Sequence, residues 1–208
     1  MRTGRAAIGL ACFALCYYGT QAIGPPVKAF SPALAIDWRL PCIPALAWVY
    51  ALGVIWPVAV IFCVPRDSID RALTAFVILS VCAATLFLLF PTDGSALRSQ
   101  CVLQGEWALR TVTRLDEPVN MMPSLHVGYA VLAVLYLRDH RLKWRLGALA
   151  MALLQIIASC LTKQHFIADI AAGAALAVIS YRLAYARSLH FAPPAILGGS
   201  GMPPCGAQ

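Results

Sequence analysis

The chain has 208 residues, 61% of them apolar and only 12% charged, with a mean hydropathy of +0.75. Soluble domains carry about 25% charged residues, so this composition excludes an ordinary water-soluble globule and implies a polytopic membrane protein with no separate soluble domain. A net charge of +7 does not indicate nucleic acid, because the only dense basic cluster falls within 138–145 and no nucleic-acid motif accompanies it.

Apolar runs bounded by charge or proline define six segments. The first, about residues 6–24, follows Arg2 and Arg5. A cleaved signal peptide is its rival reading, but Tyr17-Tyr18 and the continuing apolar run suit an uncleaved anchor. The second and third cover about 43–64 and 72–90, the fourth is short at about 122–137, and the fifth covers about 146–161. The sixth, about 166–186, carries Ala168, Ala172, Gly173, Ala174, Ala175 and Ala177. Small residues at such spacing let helix backbones approach closely in lipid. The expected fold is therefore all-α, a polytopic bundle of six transmembrane helices forming a single domain over 1–191. Residues 192–208, rich in proline and glycine, are expected to be a disordered tail.

Lys and Arg counts in alternate loops give the orientation. One side holds Arg2, Arg5, Arg66, Arg71, Arg138, Arg141, Lys143, Arg145, Arg182 and Arg187; the other holds Lys28, Arg39, Arg98, Arg110, Arg114 and Lys163 in longer loops. The first side is expected to be cytoplasmic, with both termini, so His126 and His165 share the opposite face. The eight cysteines form no CxxC pair. Cys12, Cys16, Cys63, Cys82 and Cys160 fall in apolar runs as small hydrophobes. Cys42 and Cys101 lie in segments placed outside, where a disulfide between them is one reading.

Ionisable groups at the edge of membrane spans are candidates for function. His165 and Asp169 are four apart, so on a helix the carboxylate can accept from one ring nitrogen and leave the other as a nucleophile. The alternatives are a structural polar clamp or half of a zinc site, for which no further ligand has suggestive spacing. His126 follows Pro123, a first-turn residue, near a helix start suited to anions. There it can protonate a leaving alkoxide and later activate water, and Ser124 can donate to a phosphate oxygen. Lys163 and Arg98 can neutralise phosphate charge, with snorkelling or solvation as their alternatives. Arg110 and Arg114 read as solvated loop charges, as do Asp116 and Glu117, for which a metal or an inositol-type hydroxyl contact is the alternative. Tyr17-Tyr18, Trp38, Trp48 and Trp107 fit interfacial belts.

Pro123-Ser124-Leu125-His126 and the His165 to Asp169 block together resemble the type 2 phosphatidic acid phosphatase superfamily of integral membrane enzymes, in order, separation and topology. The Ser-Leu-His version, Lys163-Gln164-His165, Asp37, Pro41, Tyr50 and Phe90-Pro91-Thr92 look like its inositol phosphorylceramide synthase-like branch, so the resemblance covers about 35–180. It implies a phosphohistidine mechanism without metal or cofactor: His165 attacks phosphorus, Asp169 orients it and His126 is the acid. The family's lysine and Arg-Pro block is absent here, as is the Ser-Arg before the second histidine.

The expected activity is a lipid phosphatase acting on a phosphomonoester or diphosphate, with a phospholipid or isoprenoid phosphate as substrate, at the extracytoplasmic face of a bacterial inner membrane. Transfer of a phospho-headgroup to an alcohol such as inositol or a sugar is the alternative. A transporter or a non-catalytic relative stands behind both.

Overall fold

The computed structural model describes residues 2–24, 28–102 and 107–190. The expected tail at 192–208 lies outside the described residues. Among these residues the chain is all-helical, with no strand and one isolated bridge between Phe30 and Thr92. The helices are α1 (Arg2–Ile23), α2 (Ala35–Arg39), α3 (Ala47–Cys63), α4 (Ile69–Leu89), α5 (Ser95–Val102), α6 (Trp107–Leu115), α7 (Leu125–Leu137), α8 (Leu142–Leu161) and α9 (Ile167–His190).

The long helices α1, α3, α4, α7, α8 and α9 lie where the six apolar segments were read. Among the described residues, four spans are long and apolar enough to cross a membrane: Arg2–Ile23, Arg66–Leu89, Leu142–Leu161 and Ile167–Ala186. The helices α3 and α7, with 17 and 13 residues, are shorter than the ~20 that a full crossing takes. Local chemistry sets these limits. Val64 precedes Pro65 and leaves the helical region, ending α3. Ser124 caps α7, accepting at Oγ from the Val127 amide at 3.4 Å, and the helix stops before the charged 138–141 turn.

Helix α7 is the centre, packed against α3, α4, α8 and α9, while α1 lies against α4. Phe76, Leu79, Leu125, Tyr129 and Ala177 form the largest apolar cluster. Gly173 shows why the sixth segment is rich in small residues: a Cβ there would lie 2.3 Å from the Ser124 carbonyl oxygen. The start of α7 therefore touches the backbone of α9, and the Ser124 amide donates to the Asp169 carbonyl at 3.0 Å.

The opposite end is joined by Arg2, donating to the Val64 carbonyl at 2.9 Å, and by the Arg5–Asp70 pair. At the histidine end a Cys42–Cys101 disulfide ties the segment before α3 to α5, beside Ala47, Ala108 and Leu109. Two short helices, α5 and α6, were not anticipated within that outer loop.

Candidate active site

His165 lies in the tight turn between α8 and α9. The turn is closed by hydrogen bonds that the Gln164 and His165 amides donate to the Ser159 carbonyl, at 3.1 and 3.2 Å. It takes its sharpest step at Lys163, with φ at +60°. On the far side, the Phe166 amide donates to Asp169 Oδ2 at 2.9 Å, and the Ile167 amide to Asp37 Oδ1 at 3.0 Å. Two buried carboxylates thus cap the start of α9, where the helix leaves unpaired N–H groups and favours negative charge.

The imidazole of His165 is 4% exposed and reads unambiguously on one side. Its Nδ1 is 3.0 Å from the Met121 carbonyl oxygen and 3.4 Å from Asp169 Oδ2. Both are acceptors, so in the neutral ring Nδ1 carries the proton and Nε2 keeps the lone pair. Nε2 faces the Tyr50 hydroxyl at 3.3 Å. Asp169 is fully buried and its Oδ1 has no hydrogen-bond partner among the described residues. Its second role, as helix cap, fixes the carboxylate beside the ring.

The Met121 carbonyl is itself held in place. Thr92 Oγ1 accepts from the amides of Met121 and Met122 at 3.0 and 3.2 Å, and the Gly94 amide donates to the Pro118 carbonyl at 2.9 Å. The Phe90-Pro91-Thr92 turn therefore positions the acceptor that fixes the tautomer of His165.

His126 occupies the first turn of α7. Its ring stacks on Tyr50, with centroids 4.1 Å apart, and its centroid is 6.0 Å from that of His165. The ring nitrogens of His126 have no hydrogen-bond partner among the described residues, so its protons are at the disposal of a ligand. Tyr50 is thus in contact with both histidines. Ser124, adjacent to them, is fully buried.

One group here escaped the sequence reading. Asp116, expected as a solvated loop charge, is 8% exposed and forms the hub of the site. Its carboxylate accepts from the hydroxyls of Tyr17 and Tyr50, the latter at 3.0 Å, and pairs with Arg98 Nη2 at 3.0 Å. Arg98 Nη1 also donates to the Asp116 backbone oxygen. Burial alone would push the Asp116 carboxyl up, but the Arg98 guanidinium and the Tyr17 hydrogen bond prevail and hold it below the usual carboxylate range. Glu117 is exposed, as expected, whereas Tyr17 is buried in this network instead of forming an interfacial belt. Trp38, Trp48 and Trp107 are exposed.

The two expected phosphate ligands are both engaged. Arg98, 3% exposed, is matched by Asp116, although its Nε–H has no partner among the described residues. Lys163, 1% exposed, donates from Nζ to the Asp37 carbonyl at 2.5 Å. Burial lowers its pKa, against the pull of Asp37. No group of three or more His, Cys, Asp or Glu among the described residues is arranged to hold a metal ion.

A narrow cleft leads from the histidines between α1, α4 and α7. His126, His165, Tyr17 and Asn120 stand at its polar end, and Leu10, Phe13, Phe76 and Leu125 line the rest. Its free space of about 10 Å³ matches about one water molecule.

Comparison with known proteins gives one match: the family profile described as the PAP2 superfamily covers residues 39–183, which includes every residue of the site except Asp37 and Tyr17. Neither the curated proteins nor the solved structures contain a match to the chain.

Proposed function

The chain belongs to the PAP2 superfamily, whose members are phosphoesterases, and we propose that it cleaves a lipid phosphoester through a phosphohistidine on His165. The carrying observation is the environment of that ring: Nδ1 faces two acceptors, so the Nε2 lone pair is left for phosphorus.

In the first half-reaction Nε2 bonds to phosphorus while the bond from phosphorus to the leaving oxygen breaks. His126 gives its proton to that oxygen. Positive charge on His165 is balanced by Asp169, whose second oxygen has no partner among the described residues. In the second half-reaction an acceptor hydroxyl gives its proton to His126 and its oxygen to phosphorus, and the N–P bond breaks. His126 has the freedom for both transfers, which typically contribute about 10²–10⁴-fold. No step requires a metal. Ser124, the cap of α7 two residues before His126, supplies a further contact to phosphate.

The four spans long and apolar enough to cross a membrane support an integral membrane setting and hence a substrate with a hydrocarbon tail, with α3 and α7 read as the remaining two of six crossings. The disulfide at the histidine end supports an extracytoplasmic site, since disulfides persist in oxidising compartments, and agrees with the loop charges, which put both termini inside. Water as acceptor makes the enzyme a lipid phosphatase; an alcohol makes it a phosphotransferase. One observation favours transfer from a diester: each buried cation near the histidines already has a protein acceptor.

The test uses detergent-purified protein with EDTA, beside His165→Ala. Phosphate release would be measured from phosphatidic acid, phosphatidylglycerophosphate and undecaprenyl diphosphate, and headgroup transfer from labelled phospholipids to inositol or sugars. Turnover by the wild type, with an acid-labile phosphoryl-protein adduct absent from the variant, is the expected result. Equal turnover by His165→Ala would sink the reading.

A further inference from the structure

We propose that Asp116 determines specificity by charge, so that the site selects a phosphate bearing one negative charge, a phosphodiester, and turns away doubly charged phosphomonoesters and diphosphates. The proposal rests on the reading of His165 as the nucleophile.

A phosphoryl group on or near His165 Nε2 sits beside the Tyr50 hydroxyl, 3.3 Å from that nitrogen. The Tyr50 hydroxyl donates to Asp116 Oδ2 at 3.0 Å. One hydroxyl therefore separates the reacting nitrogen from a buried carboxylate. Its distance from Nε2 is at most about 6 Å, short enough for direct Coulomb interaction in a site from which water is largely excluded.

The balancing cation is already committed. Arg98 meets the Asp116 carboxylate through Nη2 and its backbone oxygen through Nη1. Lys163 donates to the Asp37 carbonyl, and the Asp37 carboxylate belongs to the same residue. The remaining cations at this end, Lys28, Arg39, Arg110 and Arg114, are exposed. Asp169 adds a further buried negative charge beside His165. Among the described residues, the protein groups around the reacting atoms thus carry no surplus positive charge until a histidine is protonated. One protonated histidine balances one negative charge on the ligand. A second charge meets Asp116 with only Arg98, already paired to that carboxylate, to offset it.

The size of the discrimination follows from the same distance. A second unit charge about 6 Å from a carboxylate, at an effective dielectric of ~20, weakens binding by about a hundredfold. Arg98 lies against that carboxylate and reduces the penalty to about tenfold. Replacing Asp116 by Asn removes the repulsion and frees Arg98, whose Nε–H has no partner among the described residues. That change favours the dianion more than the monoanion, an inversion that simple loosening of the site would not produce.

A matched pair of probes tests this: dodecyl phosphate, a dianion at pH 8, and methyl dodecyl phosphate, a monoanion. Binding of each to the purified full chain in a neutral detergent would be titrated by thermal shift and by calorimetry. Wild type is expected to bind the methyl ester at least about tenfold more tightly. Asp116→Asn should erase or reverse that ratio, and Tyr50→Phe, which keeps the charge, should retain it. Equal or tighter binding of the dianion by wild type overturns the proposal without any variant having to fold. An unchanged ratio in folded Asp116→Asn overturns it as well. Failure of wild type to bind either ester would instead overturn the phosphoester reading of the site, and the proposal with it.

Discussion

Gly173 is where packing and chemistry meet, and replacing it by alanine should injure both. The added Cβ would lie 2.3 Å from the Ser124 carbonyl oxygen, 3.1 Å from its carbonyl carbon and 3.2 Å from its amide nitrogen. These are backbone atoms of the α7 cap, so no rotamer change relieves the clash. Restoring an ordinary contact of 3.4 Å requires the start of α7 to withdraw from α9 by about 1 Å. His126 travels with α7 and His165 with α9. A displacement of about 1 Å between groups that must act together costs up to about 100-fold in rate.

Overpacking costs about 1–3 kcal/mol, offset by about 1 kcal/mol from the better helix propensity of alanine. The midpoint of thermal unfolding should therefore fall by up to about 8 °C. Gly147→Ala in α8 is the matched control: nothing lies within 4 Å of its Cβ, so stability should hold or rise by up to about 1 kcal/mol. Turnover of the best substrate and thermal unfolding in detergent would be measured on both variants. Wild-type turnover and an unshifted midpoint in Gly173→Ala would refute the close approach and the coupling drawn from it.

Thr92→Val should lower kcat more than it alters KM, because it removes the acceptor that fixes Met121 and hence the His165 tautomer; a change in KM alone would count against this. Opening the Cys42–Cys101 link by Cys42→Ala should lower stability by up to about 4 kcal/mol, since the bridge closes a loop with a sequence separation of 59, read as a lower unfolding midpoint and a free thiol at Cys101. Asp116 has its carboxyl held below the ordinary value, so its contribution to stability is full above the unfolded pKa of about 3.9 and is lost as pH falls through the lower folded value. Wild type should thus show a flat unfolding midpoint from pH 5 to 8 and a decline below about pH 4 that Asp116→Asn lacks; a decline already at pH 6 in wild type only would contradict the assignment.

The helices were legible because hydrophobic runs are local: each apolar segment became a helix at about the expected place. The two histidines were legible because an ionisable group at the edge of such a run stands out in sequence. Asp116 was not, because its burial comes from residues far away along the chain. Tyr17 is 99 positions off and Tyr50 is 66 positions off, and no local pattern marks either as its partner. Lys163 illustrates the converse. Its place two residues before His165 suggested a phosphate ligand, yet the residue that takes its proton donor is Asp37, 126 positions earlier. The short helices α2, α5 and α6, with five, eight and nine residues, are too short to stand out from a polar loop, although α6 is amphipathic.

Burial of acids explains why the missing part of the sequence reading was also the electrostatic part. Asp37, Asp116 and Asp169 are buried among the described residues, all at the histidine end. Asp37 and Asp169 cap the start of α9 and so hold the turn that carries His165. Asp116 draws α1, α3 and α5 together through Tyr17, Tyr50 and Arg98. Buried carboxylates persist only when paired or hydrogen-bonded, so each consumes donors that a phosphate would otherwise use. The contacts that fold the histidine end of the bundle are therefore the same ones that, on the proposed reading, limit how much negative charge a substrate can bring.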